Sequence, residues 1–432
     1  MIKIAIAGTS GKTTTIKILE HIFKTAGLSV LKTNSGLIGT FNTIPDVDVA
    51  LIEFHLVNAF SKLLPEFSAY NFDEAEDFYD ATTIKFDYIG ITDVSLDVCD
   101  CLMFRLMMPR AWLVDQGMEY LTVSNRDYIL WVQNKIHKYY ARLVKQASQV
   151  SKIFMNGEVT TSEYDTLVTV DKQEKILTAN FTIVDKGLLG WELNLDNNKI
   201  MFPLLGKHNV LNALLASRIA ITAGVSLSII KTSLESLPNM AGRAEIIHTP
   251  SVKNPFAIIR NFAETQHQCE DLITQIKAHA SKLNVILSSR SHIIKRPVTD
   301  LGDGTSINEV GRKIQVTGEG VTDVFRKQFS KYIETIADNV VITKGNCFYE
   351  NPVDIKDSLL AGFTVKPPVM ADRKKALEAG INATKKGECL LILGDYVDIS
   401  DQSYYELPEF HELDETYFAF DDKEVIERLL NE

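Results

Sequence analysis

MIKIAIAGTSGKTTTIKILEHIFKTAG, residues 1–27, reads as a strand, a glycine-rich turn and a helix in immediate succession. KIAIAG is a short β-rich run. Past the turn, Ile16, Leu19, Ile22 and Phe23 recur at helical spacing, so residues 13–25 are expected to form an amphipathic helix ended at Gly27. Between strand and helix stand Gly8, Thr9, Ser10, Gly11, Lys12, Thr13 and Thr14. Glycines let backbone N–H groups converge on phosphate oxygens, and a helix N-terminus adds a favourable dipole. Lys12 supplies a point charge, and the Thr13 hydroxyl is the usual kind of magnesium ligand in such a loop. The strand before and the helix after give the motif its meaning. Six residues ahead of Lys12, where glycine or alanine is expected, stands Ile6. A chance glycine-rich turn is the bland alternative; ATP or another nucleoside triphosphate is the expectation.

The rest of the chain bounds what can accompany this loop. At 432 residues, 45% hydrophobic and 23% charged, it is long enough for two or three cores. No run approaches the roughly 18–20 apolar residues of a membrane span, and the first residues lack a signal-peptide cleavage pattern. A cytoplasmic protein is expected. The 5 cysteines are scattered, and the close pair Cys99 and Cys101 has no companion at zinc-ligand spacing. A formal net charge of -11 argues against a general nucleic-acid binder.

Strand and helix patterns alternate along the chain, which predicts an α/β architecture with a largely parallel sheet. VDVALIEF (47–54), FDYIGITDV (86–94), AIIRNF (257–262), LNVILSS (283–289), ADNVVITKG (337–345) and ECLLILGD (388–395) are strand candidates. Residues 128–147 and 204–224 read as helices, and residues 160–205 as β-rich. IIHTPSVKNPF (246–256), with two prolines, marks a domain boundary. The expected domains are 1–245 and 246–432.

AGTSGKTTT resembles the phosphate loop of the Mur ligase superfamily, the ATP-dependent amide-forming enzymes of peptidoglycan synthesis and their folylpolyglutamate and cyanophycin relatives. The similarity continues in order. LIEFH resembles the strand that ends in the family's magnesium-binding glutamate, here Glu53. TDVSLDVCD (92–100) is similar to TNLSRDHLD of the muramyl-tripeptide synthetase branch. GKHNVLNALLA (206–216) and AGRAE (241–245) are similar to signatures that would place Asn209 and Arg243 near nucleotide. ITKGNCFYENP (342–352), MADRKKALEAG (370–380) and the closing FAFDDKEVIERLL resemble the same branch. The resemblance implies a P-loop-type, mostly parallel central sheet flanked by helices, followed by a second Rossmann-like α/β domain that closes on the first about a hinge near 246–256.

That resemblance implies ATP and Mg2+ as cofactors, with Thr13 and Glu53 on the metal. Lys12 and Arg243 would serve phosphoryl transfer, a carbamylated lysine, best matched by Lys135 and next by Lys138, would help hold a second magnesium for it, and Asp372 and Arg373 would contact nucleotide. His137 could replace a lost metal ligand, and a solvated lysine-rich helix face is the bland reading of that run. Asp372 is equally an ordinary helix cap. The implied substrates are a small-molecule or peptide carboxylate and an amino acid or amine. With the loop at residue 8, no N-terminal UDP-sugar domain is expected, nor a UDP-linked carboxylate.

Several positions depart from the family pattern. Val98 stands where a second metal ligand, histidine, is the rule, and NFAETQHQCE replaces DYAHTPDALE, so Asn261 takes the place of an aspartate and Glu264 of a histidine. The amino-acid-recognition stretch DNPR is GNCF (345–348), and GKGHE is GDYVD (394–398). His292, Lys295 and Arg296 form a basic patch for an anion or a solvated loop. Either an ADP-forming ligase or a weakened paralogue that binds ATP and serves a protein partner accords with these departures.

Overall fold

The computed structural model describes residues 1–8, 11–34, 47–53, 86–92, 152–155, 173–175, 181–195, 198–289, 297–300, 305–308, 313–315, 321–345, 352–394 and 420–432. Contacts divide the chain into two units, Met1–Pro238 and Asn239–Glu432, so the AGRAE stretch belongs to the second.

The first unit is organised around a six-stranded sheet. Its strands are β1 (Ile2–Ala7), β2 (Val30–Asn34), β3 (Val49–Glu53), β4 (Tyr88–Ile91), β5 (Lys152–Met155) and β6 (Gln173–Lys175), in the spatial order β2-β3-β1-β4-β5-β6. Every pairing is parallel. Strands covered on both faces read as continuous apolar runs, and Ile4, Ile6, Leu51 and Ile52 are indeed fully buried. Helix α1 (Lys12–Thr25) lays Ile16, Leu19, Ile22 and Phe23, all without exposure, against this sheet and against helix α2 (Lys207–Thr222). Each such side chain contributes about 1.5–3 kcal/mol on burial. Gly90 of β4 permits α2 to sit close: a Cβ there would lie 2.7 Å from Ile6 Cδ1 and 2.9 Å from Ile219 Cδ1. Helix α3 (Leu227–Glu235) follows, capped at Ser226.

Strands β7 (Phe181–Asp185), β8 (Trp191–Leu195) and β9 (Asn198–Phe202) make a separate antiparallel sheet in this unit. Its period-2 pattern puts Trp191, Leu193, Ile200 and Phe202 on the buried face.

The second unit contains β10 (Glu245–His248), β11 (Ala257–Phe262), β12 (Leu283–Leu287), β16 (Asn339–Ile342) and β17 (Cys389–Gly394), in the order β10-β11-β17-β12-β16. All pairings are parallel except that of β10 with β11. Helices α4 (Glu270–His279), α5 (Val321–Ile336), α6 (Pro352–Ala361), α7 (Arg373–Ala383) and α8 (Asp422–Asn431) accompany it, and β13 (Pro297–Asp300), β14 (Thr305–Asn308) and β15 (Lys313–Gln315) form a small antiparallel sheet. Leu377 of α7 and Ile426 of α8 share one core with Ile258, Ile286, Leu390 and Ile392. A mixed α/β fold with mostly parallel sheets flanked by helices is thus present in both units.

Residues 246–256, read from their prolines as a boundary, lie inside the second unit. They comprise the end of β10 and the connection of the β10–β11 hairpin, where Ser251 N–H donates to Asn254 O at 2.9 Å and His248 Nε2 lies 3.0 Å from the same carbonyl.

Candidate functional site

The C-terminal edge of the first sheet gathers most of the loop residues. Strand β1 lies between β3 and β4, where the chain order reverses, and the crevice at such a switch point is where open α/β sheets bind ligands. Gly8 follows β1, Glu53 ends β3, and Thr92 follows β4 with its hydroxyl donating to Ala7 O at 3.2 Å.

Helix α1 begins without a side-chain cap and without an acidic residue in its first turn. Its N–H groups and dipole therefore face the crevice without a capping side chain from the helix itself. Gly11 takes φ 77° there, and a Cβ would meet Asn212 Oδ1 at 2.5 Å. Both observations demand glycine. Lys12 is buried, with Nζ donating to Gly8 O at 2.7 Å, and Thr14 is buried beside it. Thr13 Oγ1 donates to Glu53 Oε1 at 2.6 Å. A hydroxyl and a carboxylate side by side are hard oxygen donors suited to Mg2+, and the open helix end suits phosphate oxygens. Among the described residues no group of three or more His, Cys, Asp or Glu could hold a metal ion.

Asn209 is buried one turn into α2. Its amide donates to Leu205 O at 2.7 Å and accepts from Asn212 Nδ2 at 3.4 Å. The pair Asn209 and Asn212 thus backs the loop at Gly11. Asn212 was not singled out from the sequence, although its i+3 spacing from Asn209 puts it on the same helix face.

In the second unit, Arg243 holds its guanidinium 5.2 Å from the Phe262 ring centroid. Asp372 caps α7, accepting from Lys375 N at 3.1 Å, and lines a surface depression of about 470 Å³ with Met370, Lys375 and Glu378. Arg373 points inward instead. Its Nε and Nη2 engage the two carboxylate oxygens of Asp422 at 2.6 and 2.7 Å, and Nη1 donates to Lys344 O at 2.6 Å. Thr9, Ser10, Lys135, Lys138, His137, Val98, Cys99, Cys101, His292, Lys295, Arg296, residues 346–348 and residues 395–398 lie outside the described residues. No helix among the described residues is long and apolar enough to cross a membrane.

No family model matches the chain. The UDP-N-acetylmuramoyl-L-alanyl-D-glutamate--2,6-diaminopimelate ligase of Aquifex aeolicus is 25% identical across 93% of this chain and 74% of its own length. Among relatives of that name the matched share of their length runs from 34% to 78%. The MurF ligase of Thermotoga maritima, solved in complex with ADP, superposes with a TM-score of 0.55 at 13% identity, covering 91% of this chain and 76% of that one. E. coli FolC, solved with ADP and without folate substrate, gives 0.52 at 13% identity over 91% and 86%. These matches relate the chain to the Mur ligase superfamily: it is similar to Mur ligases in sequence and shares the fold of their solved structures.

Proposed function

We propose that the chain is an ATP-dependent, ADP-forming ligase that joins an amino acid or amine to a carboxylate. The observation that carries this reading is the open N-terminus of α1 with buried Lys12 and the 2.6 Å pair of Thr13 and Glu53. A carboxylate is a poor electrophile in water. Transfer of the γ-phosphoryl group to it, with ADP leaving, gives an acyl phosphate; amine attack at the carbonyl then releases phosphate. The protein's task in such a transfer is positioning and charge stabilisation. Lys12 and the first N–H groups of α1 hold phosphate oxygens, and Thr13 and Glu53 hold Mg2+. The bound metal neutralises charge on those phosphates. Arg243, held over Phe262, is assigned to a phosphate-bearing ligand.

Incubation with ATP, Mg2+ and panels of carboxylates, UDP-linked and free, and of amino acids tests the reading. ADP and phosphate released only with a matched pair support it. Bound ATP without release under any pairing contradicts it.

A second reading, a nucleotide-binding paralogue that serves a partner enzyme, is favoured by Asn261, a neutral amide where the family pattern has a carboxylate. Robust turnover by the isolated chain overturns it.

A further inference from the structure

We propose that Asn261 is a positioning residue for Arg243, acting through the backbone of Ala244. The inference rests on the ligase reading, which assigns Arg243 to a phosphate-bearing ligand.

Ala244, immediately after Arg243, has φ 52° and is the single non-glycine residue at positive φ among those described. That conformation strains an alanine and persists only where its surroundings impose it. The surroundings are a set of buried bonds to the end of β11. Ala244 N–H donates to Asn261 Oδ1 at 2.9 Å, and Phe262 N–H donates to Gly242 O at 2.8 Å. Gly242 N–H donates to Glu245 Oε2 at 2.9 Å, and that carboxylate is itself paired with buried Arg260 at 2.7 Å. Consecutive residues of one strand therefore hold the two parts of Arg243: Asn261 fixes its following peptide, and the Phe262 ring lies under its guanidinium.

The amide's orientation is settled by chemistry. Turning it would set Nδ2–H against the Ala244 N–H, donor against donor, so the oxygen must face the backbone. Nδ2 is then left buried with no hydrogen-bond partner. An orphaned buried donor forfeits its hydration without replacement and is destabilising. Strain at Ala244 and an unsatisfied amide both fall beside Arg243, and neither benefits folding. Both follow if the acceptor oxygen serves to set the Arg243 loop.

The test titrates Mg2+ and ATP into the full chain by calorimetry, with a thermal melt of each variant. Asn261→Leu removes the acceptor and should weaken ATP binding about tenfold, the scale of one lost hydrogen bond. Asn261→Asp, which keeps an acceptor oxygen, should restore affinity. Ala244→Gly, placed in the Asn261→Leu background, should recover most of the loss, because glycine adopts positive φ without a clamp. In an Arg243→Ala background, Asn261→Leu should have no further effect on affinity. A merely structural Asn261 would lower the melting temperature while leaving affinity untouched, or would add its loss to that of Arg243→Ala; either result overturns the proposal. If Asn261→Leu does not fold, Asn261→Ser, too short to reach Ala244, takes its place in every comparison. Wild-type chain that binds no ATP refutes the ligase reading and this inference together, whereas ATP binding with additive losses refutes this inference alone.

Discussion

Thr13 and Glu53 meet across 40 residues of sequence, hydroxyl to carboxylate at 2.6 Å. The meeting is a consequence of topology: β1 and β3 are parallel neighbours in register Ile6 to Glu53, so the end of β3 lies beside the start of α1. If the pair shares a magnesium ion, Glu53→Gln should reduce Mg2+-dependent ATP affinity by on the order of tenfold, since bonds to charged groups contribute about 1.5–3 kcal/mol. Calorimetry with and without Mg2+ reads this directly. An unchanged metal dependence would remove Glu53 from the site.

Gly11→Ala should cost stability and ATP affinity together. The left-handed backbone charges an alanine about 1–2 kcal/mol, and the added methyl would lie 2.5 Å from Asn212 Oδ1. Asn212→Ala in that background should return the steric part and leave the backbone part. Full recovery would mean that φ is not fixed there.

Arg373 and Asp422 form a bidentate pair whose side chains are 4% and 0% exposed. Removing one partner of a buried pair costs about 3–5 kcal/mol, so Asp422→Ala and Arg373→Ala should lower the urea midpoint sharply. Asp372→Ala, which removes a helix cap and an exposed ion pair with Lys375, should cost about 1 kcal/mol. If Arg373→Ala instead leaves the midpoint intact and weakens ATP binding, its inward role is wrong.

Much of this was legible in the chain. Ile16, Leu19, Ile22 and Phe23 fell on one helical face and are all buried, and AIIRNF is a strand over its whole length. Long, strongly periodic elements write their environment into their residue types. The β10–β11 hairpin was not legible, because prolines and polar residues mark a tight connection and a domain boundary alike. Lys12, Thr13 and Glu53 could be ordered along the sequence, but burial of Arg373 against Asp422 could not. A basic residue after a helix cap looks the same whether it turns outward or inward. The clamp of Asn261 on Ala244 depends on one backbone dihedral, which no residue pattern announces.

Acid should weaken the second unit in a definable way. Glu334 accepts the N–H groups of Val365 and Thr364 at 2.9 and 2.8 Å, which holds its carboxyl below the ordinary value of 4.5. A depressed folded pKa stabilises above the unfolded value, and that contribution is lost as pH falls through the folded one. Glu334→Gln should therefore flatten the fall of the urea midpoint below about pH 4.5. Parallel curves for variant and wild type would contradict the linkage.

The central claim is that the N-terminus of α1 and buried Lys12 form a triphosphate site. Calorimetric titration of ATP and Mg2+ into wild-type chain and Lys12→Ala tests it most directly. The account predicts saturable one-site binding to wild type, and loss of at least about tenfold in affinity for Lys12→Ala at unchanged melting temperature. Equal ATP affinity in the two proteins, or no binding to either, would contradict it.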